Sequence, residues 1–228
     1  MLAVVAQRFK KLHYSWIALA IGTFTKACSS PGQSPFIGVF ISAYITDLKI
    51  SRTAVSTLYF VATIMSACSL PFAGSMMDRN GLRLSGMFAC AGLAATCCGF
   101  GMLVRNAVSL LVGFFGLRFF GQGLMSLVGS NVINMWWRES RGKVQGISGV
   151  GLTLVMTGML PPLAKLGLNA VGWRWFYVIL GVVLLAVYFP IAAFFLLNSP
   201  EDHGLLPDAK YPVKDARVEA ESLLNRAR

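Results

Sequence analysis

The chain has 228 residues, of which 56% are hydrophobic and 13% charged, and its mean hydropathy is +0.65. Soluble domains carry about 25% charged residues, so this composition excludes disorder and an ordinary soluble enzyme, and it puts lipid around most of the protein. The formal net charge of +11 would suggest nucleic acid, but a basic groove needs a solvated surface that so few charges cannot supply.

Residues 1–13 form a basic segment with Arg8, Lys10 and Lys11. The first apolar run, about Tyr14–Ile45, is interrupted only by Lys26. It also holds Thr23, Thr25, Ser29, Ser30, Gln33, Ser34 and Ser42, and it is broken by Pro31, Gly32 and Pro35. Irregular backbone at membrane depth survives only where protein buries it or water reaches it. The basic start and apolar Trp16–Phe24 also fit a cleaved signal peptide. Lys26 at the cleavage position and the continuing apolar run argue against that reading.

Thr53–Met77, Leu84–Val104, Val144–Ala164 and Trp175–Asn198 contain no charge and run 25, 21, 21 and 24 residues. About 20 apolar residues cross a bilayer as a helix. With Asn106–Trp137, interrupted only by Arg118, the expected count is six spans. Trp175–Leu197, with no Ser, Thr, Asn or Gln, is expected to face lipid on most sides, and Leu84–Val104 is expected to be similarly peripheral. The fourth span carries Arg118, Gln122, Ser126, Ser130, Asn131 and Asn134, and it is expected to line an aqueous path with the first. Glycines at positions 113, 116, 121, 123 and 129 in the fourth span, and 146, 149, 151 and 158 in the fifth, are expected at close helix approaches.

From Ser199 the composition changes. Pro200, Pro207, Pro212 and mixed charge mark a solvated tail, residues 199–228, with one short helix expected near Val218–Arg226. With the N-terminus inside, thirteen Lys and Arg fall in inner segments and five in outer ones. The bias places both termini in the cytoplasm. The organisation is thus an all-α membrane protein: a basic segment 1–13, a six-helix bundle 14–198 and a tail 199–228.

Cys28, Cys68, Cys90, Cys97 and Cys98 all lie in predicted spans, and none has C-x-x-C spacing. With only His13 and His203 beside them, neither a metal site nor a disulfide framework is expected. No cofactor is implied, and paired acids or a nucleophile with a base are missing from the spans, so an enzyme is not expected.

Lys26 and Arg118 carry the chemical signal. Each lies twelve residues from the start of its run, about 18 Å at the helical rise, which is near mid-depth in a core about 30 Å thick. A cation there costs about 2.5–3.5 kcal/mol on insertion scales, and no acid lies within the spans. An anion would complete such a site, with Arg118 as planar fork and Lys26 as point charge. Gln33 and Gln122 join them as candidate binding residues. Structural roles stand beside this reading: Lys26 bonding carbonyls freed by Pro31, and Arg118 donating to backbone on a neighbouring helix.

After the second span, Gly74, Asp78, Arg79, Gly81 and Arg83 stand at the spacing G-x-x-x-D-R-x-G-[RK]-[RK]. This resembles the signature of the major facilitator superfamily, with Leu82 departing where a second base is common. Arg118 followed by Gly121, Gln122 and Gly123 resembles the family's second signature, offset by one residue. The Gly-Pro antiporter signature of the fifth span is not met, since no proline adjoins Gly149 or Gly151. Pro31–Ser34, Ser51–Ala54 and Ser199–Asp208 are similar to the monocarboxylate/oxalate–formate branch, as is a lysine in the first span.

The resemblance implies one six-helix half of a secondary transporter that moves a small organic anion, such as a monocarboxylate, by alternating access, by symport or antiport, with a proton as one candidate coupling ion. It implies a cytoplasmic latch in which Asp78 engages Arg138 or Arg141. Family members have about twelve spans, so it also implies truncation at Arg228, with a separate second half or a homodimer as alternatives. A non-transporting interaction subunit or an inactive fragment is the rival reading. The partners are the lipid bilayer, the anion and a second six-helix unit, with no nucleic acid. Substrate, coupling ion, direction and membrane are not legible.

Overall fold

Proline and glycine decide where the helices stop. The computed structural model describes residues 14–198 and Asp208; the segment 1–13 and the remaining tail, with its expected short helix, lie outside the described residues. Helix α1 (Tyr14–Cys28) gives way to a single 3-10 turn, Ser30–Gly32, and α2 (Ser34–Leu48) begins beyond it. Pro31 and Pro35 have no amide hydrogen to continue a helical ladder, so each is tolerated only at a fresh first turn. Among the described residues there is helix and loop and no strand.

Helix α3 (Arg52–Leu103) starts on Ser51, whose Oγ accepts the Ala54 N–H at 3.1 Å. Gly81 interrupts it with φ +78°, a conformation that L side chains avoid. Before Gly81 the chain runs in the same sense as the helix it packs on: Tyr59 meets Phe114, Leu70 meets Gly123 and Met77 meets Asn131. Beyond Gly81 the sense is opposite, with Gly92 against Phe120, Thr96 against Gly116 and Phe100 against Gly113. Gly81 therefore turns a hairpin inside one continuous helical run.

Helix α4 (Ala107–Gly116) opens with reciprocal bonds between Asn106 and Ser109. It passes through a π-helical stretch, Leu117–Met125, into α5 (Ser126–Trp136). The last run comprises α6 (Arg141–Thr153), a π-helical Leu154–Met159, α7 (Leu160–Val183), a π-helical Leu184–Tyr188 and α8 (Phe189–Phe195). Gly172, φ +75°, reverses it as Gly81 reverses α3, and Gly167 then lies on Phe176 across the bend. Three described runs are long and apolar enough to cross a membrane: Arg52–Leu103, Ala107–Trp136 and Arg141–Phe195.

The turns gather at two ends. At one, Tyr14 donates its hydroxyl to the Phe195 carbonyl, Trp137 Nε1 donates to the Ser15 carbonyl at 3.0 Å, and the Arg83 N–H donates to Asn198 Oδ1 at 3.0 Å. At the other, Arg174 pairs with Asp47 at 2.8 Å and caps the carbonyls of Gly101 and Val104. An aromatic cluster fills the interior near Asp47: Phe40, Tyr44, Phe100, Phe114 and Tyr177 are fully buried, and Tyr44 donates to the Tyr177 hydroxyl at 3.1 Å. In lipid such packing, rather than water exclusion, holds helices together.

Two expectations about packing change. Residues 82–103 are not peripheral on every side: Ala89, Cys90, Leu93, Ala94 and Cys97 are fully buried between α4 and the last run. Small side chains there let helices approach from two directions. Glycines 113, 116, 121, 123 and 129 do mark close approaches, but a Cβ on Gly146, Gly149, Gly151 or Gly158 would meet nothing within 4 Å. Those four meet open space. The cysteines are all free, with Cys90 and Cys97 buried but Cys68 exposed. In the last run Trp175, Val182 and Phe194 are exposed, while Tyr177, Leu184, Tyr188 and Ala192 are buried against the other helices.

Candidate functional site

Where α1 ends, serine hydroxyls take up its orphan carbonyls. Ser29 Oγ donates to the Lys26 carbonyl at 2.6 Å and Ser30 Oγ donates to that of Ala27. The Gly32 N–H donates to the Ser29 carbonyl at 3.0 Å. This leaves the Gly32 carbonyl for a donor from outside, and Arg118 supplies it.

Arg118 sits in the π-helical stretch, a geometry frequent at functional sites, and is 7% exposed. Its Nη1 donates to the Gly32 carbonyl and to Ser34 Oγ, each at 3.3 Å. The guanidinium carbon lies 5.3 Å from the Tyr59 ring centre, and the Tyr59 hydroxyl bonds Ser34 Oγ at 2.7 Å. The structural alternative, a bond to backbone across helices, is thus realised for one nitrogen. Arg118 Nε has no partner, and neither has the buried Gln122 Oε1 one turn on.

Lys26 is 9% exposed, with its stem against Gly129. Its Nζ donates to Gln145 Oε1 at 2.7 Å. Between the two cations lies a polar cluster in which Ser29 and Ser126 hydroxyls meet at 3.1 Å and Gln33 Nε2 donates to both, at 3.0 and 3.3 Å. Above Lys26, Thr23 bonds Ser148 at 2.9 Å. Lys26, Gln33 and Arg118 therefore belong to one polar column along the α1–α2 junction. No carboxylate touches it among the described residues.

The first and fourth expected spans meet directly. A Cβ on Gly22 would stand 2.7 Å from the Gly129 carbonyl oxygen, and one on Gly32 would overlap that of Leu117. Their shared seam is backbone contact, with polar side chains beside it. Gln145 of α6 and Tyr59 of α3 belong to the site and were not among the sequence candidates. The signal for Gln145 was available: it is the one amide in the uncharged run Val144–Ala164.

The signature residues occupy the Tyr14 end. Gly81 makes the hairpin turn, and a Cβ there would lie 2.9 Å from Asn198 Oδ1. Gly74 meets open space, and Arg79 and Arg83 are exposed. Asp78, Arg138 and Arg141 line one cavity of about 530 Å³ with Asn131, Asn134 and Asn198. Asp78 makes no ion pair to either arginine in this arrangement. The intervening loop is held instead by Asp208, whose carboxylate accepts the N–H groups of Arg138, Glu139 and Ser140 at 3.1, 2.9 and 3.0 Å.

A family model described as Major Facilitator Superfamily matches residues 16–225. Among curated proteins, the chain is similar to an oxalate:formate antiporter of Oxalobacter formigenes, 28% identical over 148 residues. That alignment takes in 64% of this chain and 35% of the relative, so the chain corresponds to about a third of the relative's length. The hairpin at Gly81, the cavity that Asp78 shares with Arg138 and Arg141, and the match over nearly the whole sequence agree: the chain belongs to the major facilitator superfamily.

Proposed function

We propose that this chain supplies a six-crossing unit of a secondary transporter that moves a small organic anion by alternating access. One observation carries the reading: Lys26 and Arg118 are both buried in one polar column with only neutral partners. Two formal positive charges in a low-dielectric interior attract an anion strongly. Arg118 offers its free Nε edge, Lys26 its remaining donors, and Gln33 and Gln122 their carboxamides. The branch-level resemblance and the similarity to an oxalate:formate antiporter support a short carboxylate as the cargo.

The crossings are the broken run 14–48, the two arms of α3, the run 107–136 and the two arms of the last run. With the Tyr14 end in the cytoplasm, the basic residues Arg79, Arg83, Arg138, Arg141 and Lys143 face inward, as the charge bias requires. Asp78 and the arginines 138 and 141, gathered round one cavity, form the cytoplasmic latch, in which Asp78 engages one of the two arginines. A second six-helix unit, on another chain or a second copy, completes the path. The two family halves share orientation about an axis along the membrane normal, and the open face at Gly142, Gly146 and Gly149 of α6 has room for it.

Uptake of radiolabelled oxalate, formate, lactate and pyruvate into proteoliposomes tests the reading, with a counter-anion or a proton gradient as alternative driving forces. Saturable uptake of at least one anion is expected. Saturable uptake of none, by a protein shown to be inserted and folded, would contradict it.

A further inference from the structure

Gln145 is held by three bonds whose directions fix its orientation. Its Nε2 donates to the Ser130 carbonyl at 3.2 Å and to Asn134 Oδ1 at 3.0 Å. A backbone carbonyl only accepts, so this bond settles which end of the amide is nitrogen. The oxygen is left facing Lys26, whose Nζ it meets at 2.7 Å. Asn134 in turn lines the cavity at the Tyr14 end. A hydrogen-bonded chain therefore runs from the buried ammonium through Gln145 to a water-accessible pocket.

From this geometry we infer that Gln145 is a positioning residue that sets the charge selectivity of the anion site, an inference that rests on the anion reading above. A neutral acceptor steadies the Lys26 ammonium without cancelling its charge. An ammonium has three donors, and Gln145 occupies one, leaving two for a carboxylate. Glutamate at the same place would have nearly the same shape and would turn the contact into an ion pair. The column would then lose one unit of net charge.

The consequence is specific. Removing one unit of charge costs a dianion twice the free energy that it costs a monoanion, since Coulomb energy scales with ligand charge. In Gln145→Glu the affinity for oxalate falls by the square of the factor by which formate's falls. If formate weakens about tenfold, oxalate weakens about a hundredfold, and the oxalate:formate ratio drops about tenfold. In Gln145→Met, which has the length without the acceptor, the column keeps its charge and the ratio stays within about twofold of wild type.

The experiment is equilibrium binding of radiolabelled oxalate and formate to the purified full chain in nanodiscs, for wild type and both variants, with thermal unfolding measured in parallel. The expected result is a lowered ratio in Gln145→Glu alone. An unchanged ratio in Gln145→Glu, or an equal drop in Gln145→Met, overturns the role of Gln145 while leaving the anion reading standing. If wild type binds neither anion, both fall. Should Gln145→Glu unfold, Gln145→Lys decides with the sign reversed: one added unit of charge raises the oxalate:formate ratio, and an unchanged ratio there overturns the role.

Discussion

Gly32 and Gly121 touch through backbone: a Cβ on Gly32 would stand 3.0 Å from the Gly121 Cα, and one on Gly121 would stand 2.9 Å from the Gly32 Cα. This contact seats the 3-10 turn on the π-helical stretch and brings the Gly32 carbonyl to Arg118. A methyl group at either position forces the two segments apart. Gly32→Ala is expected to cost about 1–3 kcal/mol, the range for overpacking, and to lower the thermal midpoint in detergent. Gly38→Ala, inside helix α2 where a Cβ meets nothing within 4 Å, serves as control and raises the midpoint slightly, since alanine is favoured over glycine in a helix interior by about 0.5–1 kcal/mol.

Asp208 ties the tail to the loop before α6. Its carboxylate accepts three consecutive backbone N–H groups while its own N–H donates to the Trp136 carbonyl at 2.9 Å. Asp208→Ala removes all three acceptor contacts and is expected to cost about 1–2 kcal/mol, as loss of a helix cap does. Asp208→Asn keeps one acceptor oxygen and tolerates the left-handed φ of 60°, so its cost is smaller. Hydrogen exchange at Arg138, Glu139 and Ser140 reads this directly: those amides exchange faster in the Ala variant.

At the opposite end Arg174 does two jobs of unequal weight. Its ion pair with Asp47 is 35% and 44% exposed on the two sides, and exposed pairs contribute about 0–1 kcal/mol. Its Nη1 also caps the carbonyls of Gly101 and Val104, at 3.3 and 2.7 Å, where α3 ends. Asp47→Asn is therefore expected to move stability by less than about 1 kcal/mol. Arg174→Met leaves two helix-terminal carbonyls short and costs about 1–3 kcal/mol. Chemical unfolding in mixed micelles separates the two.

Much of this was legible in the sequence because it depends on local chemistry. Pro31, Gly32 and Pro35 announce a broken first run, and the structure has a helix end, a 3-10 turn and a new helix there. The glycine of the Asp-Arg signature is needed for the positive φ that turns the α3 hairpin. Uncharged runs and isolated cations pointed to Lys26 and Arg118. Which partners those cations take was not legible, because the pairings span the chain: Gln145 is 119 residues from Lys26, and Gly32 is 86 residues from Arg118. Nothing local to Gly146 or Gly149 says whether a glycine face meets a helix or open space. That depends on which helices pack around it.

The central claim is that Lys26 and Arg118 hold one anion between them, and binding of radiolabelled oxalate to the Lys26→Met/Arg118→Gln double variant tests it most directly. Each buried charge-assisted bond contributes about 1.5–3 kcal/mol, so losing both cations is expected to abolish measurable binding, with each single variant weakening it about tenfold or more. The variant must insert in the membrane and match wild type in thermal unfolding. Oxalate binding by the double variant at wild-type affinity would contradict the account.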